Sequence, residues 1–135
     1  FLRENITGSL SRAGDVYKYD LSMGTAQMYE LVEVMRERLG DRANVVGYGH
    51  MGDGNLHLNI SVPARSPELD ALIEPYVYEW TGARGGSVSA EHGIGRVKRK
   101  YLPFSKSSSM IATMELLKQT LDPHNIMNPG KVLSV

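Results

Sequence analysis

The stretch that most restricts this chain is Gly47-Tyr48-Gly49-His50-Met51-Gly52-Asp53-Gly54-Asn55-Leu56-His57-Leu58-Asn59. Four glycines fall within eight positions, which permits a tight turn with exposed backbone. The pattern predicts a hairpin, with strands over residues 45–50 and 55–62 around a turn at 51–54. Alternation along the second strand sends Asn55, His57 and Asn59 to one face and Leu56, Leu58 and Ile60 to the other. The aliphatic side chains anchor the strand in a core, and the polar ones line up opposite. His50 enters the turn from the partner strand, within reach of His57 across the hairpin.

The flanking sequence supplies the rest of a domain. Residues 15–22 alternate apolar and polar, as a half-buried strand does. Thr25 is placed as an N-cap, and Met28, Leu31, Val32, Met35 and Leu39 follow at helical spacing until Gly40, with Arg36 and Arg38 in the last turn. Ser66-Pro67-Glu68 starts a second helix through Leu69, Leu72, Ile73, Val77 and Trp80, tolerating Pro75. Residues 87–90 are expected as a short strand or extended segment, residues 96–100 as a basic helix, and residues 107–121 as a helix with Met110, Met114, Leu117 and Leu121 inward. Asp122-Pro123 stops that helix, and Asn128-Pro129-Gly130-Lys131 makes a turn-rich tail. The expected fold is α+β, a mostly antiparallel sheet with helices on one face, and residues 1–135 form one domain.

Composition closes off several classes of function. Lys+Arg and Asp+Glu number 15 each, so zero net charge gives no support for a nucleic-acid or polybasic membrane partner. Without cysteine there is no disulfide, thiol nucleophile or Cys-type zinc site, so a metal must use His, Asp, Glu or Asn. No apolar run approaches the roughly 18 residues needed to span a bilayer. Residues 1–7 contain neither an initiator Met nor a signal-peptide core, and read as the middle of a longer protein, with targeting information elsewhere.

Two clusters carry potential chemistry. His50 and His57 make half of a transition-metal site, although the spacing is not a specific motif and also allows polar residues on a solvated sheet face. Asp53 reads as a turn residue that bonds nearby backbone. In Ser89-Ala90-Glu91-His92-Gly93-Ile94-Gly95 an acid and an imidazole sit side by side before two glycines. Glu91 would complete a His2Glu set with an open position, and His92 suits a general base. An ordinary surface loop is the competing reading. Arg3, Thr7 and Lys18 offer cations and a hydroxyl for a carboxylate, or simply solvated charges. The basic run Arg96, Lys98, Arg99, Lys100 reads first as a solvated face. His124 is expected to be exposed and idle.

Three blocks together, residues 47–59, 87–95 and 121–131, resemble in order and spacing the C-terminal domain of the FAD-linked oxidase family, which holds the D-lactate and D-2-hydroxyglutarate dehydrogenases. Residues 16–22 and 76–81 look closest to the D-2-hydroxyglutarate branch. The resemblance implies a ferredoxin-like substrate domain whose FAD-binding partner domain lies N-terminal to these residues, so that this piece alone would fold without turning over. It implies a divalent metal, usually zinc, on His50, His57 and Glu91. His92 is then the base, Asn59 lines the substrate site, Arg3, Thr7 and Lys18 bind carboxylates, and Asn128 belongs to the segment returning toward the flavin. It further implies a D-2-hydroxyacid substrate, an acceptor such as an electron-transfer flavoprotein, and a mitochondrial location in a eukaryote or a cytoplasmic one otherwise. Some members carry an actin-interacting label, which makes a non-catalytic interaction module the alternative.

Overall fold

A computed structural model describes residues 5–135. The element order is α1 (Ile6–Ala13), β1 (Asp15–Ser22), α2 (Thr25–Leu39), β2 (Asn44–His50), β3 (Asn55–Val62), α3 (Pro67–Ala83) and α4 (Ser108–Leu121). Short 3-10 turns at Gly40–Arg42 and Arg99–Phe104 join the elements. The sheet is three-stranded and wholly antiparallel in the order β1-β3-β2, so the histidine-bearing β3 is its central strand.

One face of that sheet is the core. Tyr17, Tyr19 and Leu21 of β1 and Leu56, Leu58 and Ile60 of β3 pack with Leu31, Val32 and Met35 of α2 and Ile73 and Val77 of α3. Period-2 strands thus meet period-3.6 helices over a common apolar layer. Seven of these side chains, Leu21, Leu31, Met35, Leu58, Ile60, Ile73 and Val77, are 0% exposed, each worth about 1.5–3 kcal/mol in removed apolar surface. The α+β expectation, its hairpin and both long helices are as observed.

Local details differ in instructive ways. Gly24, not Thr25, is the N-cap of α2, and it makes no side-chain cap. Ser66 does cap α3, its hydroxyl accepting from the Leu69 N–H at 3.2 Å, and Pro75 sits within that helix as expected. Residues 87–90 contribute only a single antiparallel bridge, Ser87 to Ser22, because the chain there turns to reach Asp20. Residues 96–100 form turns leading into a 3-10 segment rather than a basic helix. In α4 no residue is fully buried: Met110, Leu117 and Leu121 are 50%, 55% and 80% exposed, and only Met114 of the four expected inward residues is half-buried. The helical period matches the observed helix, but no described element covers that face.

Candidate metal centre

The face of the sheet opposite the core carries the chemistry, and register builds it row by row. Asn59 of β3 lies between Lys18 of β1 and Val46 of β2. His57 lies between Asp20 and Tyr48, and Asn55 between Ser22 and His50. Residues directly opposite in an antiparallel pair share a face, so Lys18, Asp20, His50, Asn55, His57 and Asn59 all project to one side.

His57 is the hub. Its ring centroid lies 5.9 Å from that of His50, 5.8 Å from that of His92 and 5.3 Å from that of Tyr48. The segment after the Ser22–Ser87 bridge delivers Glu91 between the two hairpin histidines. One Glu91 oxygen, Oε1, is 3.7 Å from His50 Nε2, and the other, Oε2, is 3.5 Å from His57 Nε2. Tetrahedral donors at about 2.0–2.1 Å from zinc stand roughly 3.4 Å apart, close to the Glu91–His57 spacing and a little under the Glu91–His50 one, each of which is made by a different carboxylate oxygen. Among the described residues, the ligand atoms that all lie within 4.8 Å of one another belong to Asp20, His57, Glu91 and His92, a grouping that shares His57 and Glu91 with the expected set but leaves out His50. Glu91 and His92 are exposed, His50 is half-buried and His57 nearly buried, so the cluster opens outward from its strand.

Asp20 holds the Glu91 loop in place. It is 0% exposed, and its Oδ2 accepts the backbone N–H groups of Ala90, Glu91 and His92 at 3.0, 2.8 and 2.8 Å. Burial raises its pKa, but the amides of His92 and Glu91, with the charges of His92 and Lys98, outweigh that and hold the carboxyl below the usual carboxylate range. Behind it Lys98 Nζ donates to Ser89 Oγ at 3.1 Å, and Ser89 Oγ lies 3.4 Å from Asp20 Oδ2. Burial pulls the Lys98 pKa down, and Asp20 offsets part of that. Asp20 is absent from the residues expected on sequence grounds. Its only signal there is the strand alternation that places it on the same face as Lys18.

The other expected residues fall as follows. Asn59 is buried, its Nδ2 donating to His57 O at 3.5 Å. Lys18 is exposed on β1 across from Asn59. Arg3 and the side chain of Thr7 lie outside the described residues. Asn128 is exposed in the tail with φ of 53°, its Oδ1 3.5 Å from Lys131 Nζ. That tail docks beside the Glu91 loop, since Val132 N donates to Gly95 O at 2.8 Å and Arg99 Nη1 to Gly130 O at 3.0 Å. Asp53 accepts the Asn55 N–H at 3.2 Å, the turn role expected of it, and His124 is exposed. The basic run is partly drawn inward: Lys98 reaches Ser89, Arg99 reaches the tail, and Lys100 lies 3.9 Å from Glu74. Among the described residues no helix is long and apolar enough to cross a membrane.

The chain is 55% identical over 132 residues to the mitochondrial D-2-hydroxyglutarate dehydrogenase of Arabidopsis thaliana, covering 98% of this chain and 24% of that protein. It is 55% identical over 133 residues to the Rattus norvegicus enzyme of the same name, covering 98% and 25%. A D-2-hydroxyglutarate–pyruvate transhydrogenase of Saccharomyces cerevisiae is 38% identical over 141 residues, covering 97% and 28%. The chain therefore spans about a quarter of the length of the curated relatives it matches. The family model for FAD linked oxidases, C-terminal domain, matches residues 2–132, and the chain belongs to that family.

Proposed function

We propose that this chain is the substrate- and metal-binding part of an FAD-dependent dehydrogenase that oxidises a D-2-hydroxyacid to the 2-oxoacid. The observation that carries the reading is Glu91, whose two carboxylate oxygens stand 3.7 and 3.5 Å from His50 Nε2 and His57 Nε2. Those three residues would hold a divalent cation, for which two imidazoles and a carboxylate select zinc over calcium or magnesium. Such a cation, when bound, supplies Lewis acidity toward the hydroxyl and carboxylate oxygens of the acid.

The protein's own groups then divide the remaining work. His92, exposed beside the cluster with its backbone N–H tied to Asp20, takes the C2 hydroxyl proton. Asn59 and Lys18, paired across β3 and β1, bind and orient the carboxylate end, with Arg3 and Thr7 completing the contacts. A second carboxylate on the substrate would favour 2-hydroxyglutarate over lactate, in keeping with the names of the relatives. FAD is the electron acceptor that the family name implies, and Asn128 is assigned to its contact. The mitochondrial names of the relatives support that compartment for a eukaryotic source.

Metal analysis of the purified protein tests the reading. About one zinc per chain is expected, with loss of the metal in His57→Ala. D-2-hydroxyglutarate should bind the zinc-loaded protein more tightly than D-lactate in a calorimetric titration, and Lys18→Ala should weaken it. Zinc retained at wild-type stoichiometry in His57→Ala would refute the ligand set.

A further inference from the structure

Asp20 is a buried charged group of the site to which neither the proposed ligands nor the proposed substrate contacts give a task. It lies directly across from His57 in the β1–β3 register, with its side chain wholly inaccessible. Its two oxygens live in different surroundings. Oδ2 is saturated by three consecutive backbone N–H groups, those of residues 90–92. Oδ1 is buried without any hydrogen-bond partner. The nitrogen that approaches it is His57 Nδ1, at 3.9 Å.

An orphaned carboxylate oxygen inside a protein is costly, so its neighbour is informative. A neutral imidazole has one N–H and one lone pair, and the partner of one nitrogen decides the state of the other. As a carboxylate, Asp20 accepts hydrogen bonds and has no proton to donate. A proton on Nδ1 would therefore be drawn toward Oδ1, which leaves the lone pair on Nε2. Nε2 is the nitrogen that faces Glu91 Oε2 at 3.5 Å. Carboxylates that hold the far nitrogen of a metal-bound histidine do this elsewhere in proteins, and losing one costs roughly 10–100-fold in metal affinity.

We propose that Asp20 is a positioning residue with two outputs: Oδ2 fixes the Glu91–His92 loop, and Oδ1 selects the Nδ1–H tautomer of His57, aiming the Nε2 lone pair at the site. The consequence for metal affinity rests on the His50, His57, Glu91 reading, whereas the tautomer is a property of the protein without metal.

Nitrogen-15 NMR of the purified, metal-free protein above the imidazole titration range reads the tautomer, with the His57 signals identified by their loss in His57→Ala. Wild-type protein should show His57 protonated at Nδ1. Asp20→Asn is close to isosteric: its amide oxygen still accepts the loop N–H groups, while its NH2 turns a donor toward Nδ1. That variant should move His57 to the Nε2–H form and weaken zinc by roughly 10–100-fold in a chelator competition. Wild-type His57 protonated at Nε2 would overturn the proposal, and would suit Asp20 as a direct ligand beside Nδ1. So would an Asp20→Asn protein that keeps both the wild-type tautomer and the wild-type zinc affinity. If Asp20→Asn does not fold, the wild-type tautomer alone decides. An Nδ1–H tautomer in a protein that takes up no zinc would support the role of Asp20 while defeating the ligand set.

Discussion

A Cβ placed on Gly49 would sit 2.0 Å from the carbonyl oxygen of Asn55, the first residue of the strand opposite. The β2–β3 ladder closes at that point only because position 49 has no side chain. Gly49→Ala must push the strands apart next to His50, at a cost of order 1–3 kcal/mol for overpacking. Gly52, in the turn itself, has open space where a Cβ would stand, with no atom within 4 Å, and serves as the control. Urea unfolding should show Gly49→Ala clearly destabilised and depleted in bound zinc, with Gly52→Ala close to wild type in both.

The two long helices and α4 should respond differently to the same substitution. Leu31 of α2 is 0% exposed within the core, whereas Leu121 of α4 is 80% exposed. Leu31→Ala should cost about 2–5 kcal/mol, and Leu121→Ala should stay within roughly 0.5 kcal/mol of wild type. Parallel denaturant titrations of the two variants check this, and a large loss in Leu121→Ala would mean that something covers α4.

That contrast also marks where the sequence is readable. Strand alternation, the hairpin glycines and the Ser66-Pro67 start are local signals, and each leads to the right element. Glu91 comes within 3.7 Å of His50 and 3.5 Å of His57 because the two histidines are fixed by one hairpin and Glu91 follows a buried segment. Periodicity in α4 identifies a helix but not what covers it, since burial depends on neighbours far along the chain. Asp20 is illegible for a similar reason. Its partners are three backbone amides about 70 residues later, and a backbone amide leaves no mark in a sequence. The basic run misleads as a helix because Lys98 and Arg99 are drawn to Ser89 and Gly130, contacts that charge patterning does not encode.

Asp122 should make the C-terminal turn acid-sensitive. Its Oδ1 accepts the Ile126 N–H at 3.1 Å, its Oδ2 accepts the Met127 N–H at 3.0 Å, and Lys118 Nζ donates to it. The Lys118 bond, opposed by some burial and joined by the two amides, lowers its pKa in the folded protein. A depressed folded pKa means the stabilisation is complete above the unfolded value of about 3.9 and is lost as pH falls through the folded one. Hydrogen-exchange protection of Ile126 and Met127 should therefore drop below about pH 4 while that of Leu31 persists. In Asp122→Asn the two tail amides should already be less protected at neutral pH and show no such acid step.

Tyr17 gives the converse case at high pH. Its hydroxyl donates to Asp70 Oδ1 at 2.5 Å, joining β1 to the first turn of α3, while the Arg65 guanidinium lies over its ring at 4.3 Å. Burial, then the hydrogen bond and charge of Asp70, push its pKa from 10.0 up to about 12, with Arg65 pulling the other way. A raised folded pKa stabilises the protein fully below the unfolded value, and that contribution disappears as pH rises through the folded one. The contribution should hold to about pH 10 and fade by about pH 12. Tyr17→Phe should cost about 1–2 kcal/mol at neutral pH, the lower part of the range for a bond to a charged group because Asp70 is exposed. Other buried tyrosines also titrate late, so the informative quantity is the difference between the two stability curves. That difference should be flat from pH 6 to pH 9 and shrink above pH 10. A gap that stays constant through pH 12 would show that folding does not raise the Tyr17 pKa, and so that its hydroxyl is not held as a donor to Asp70.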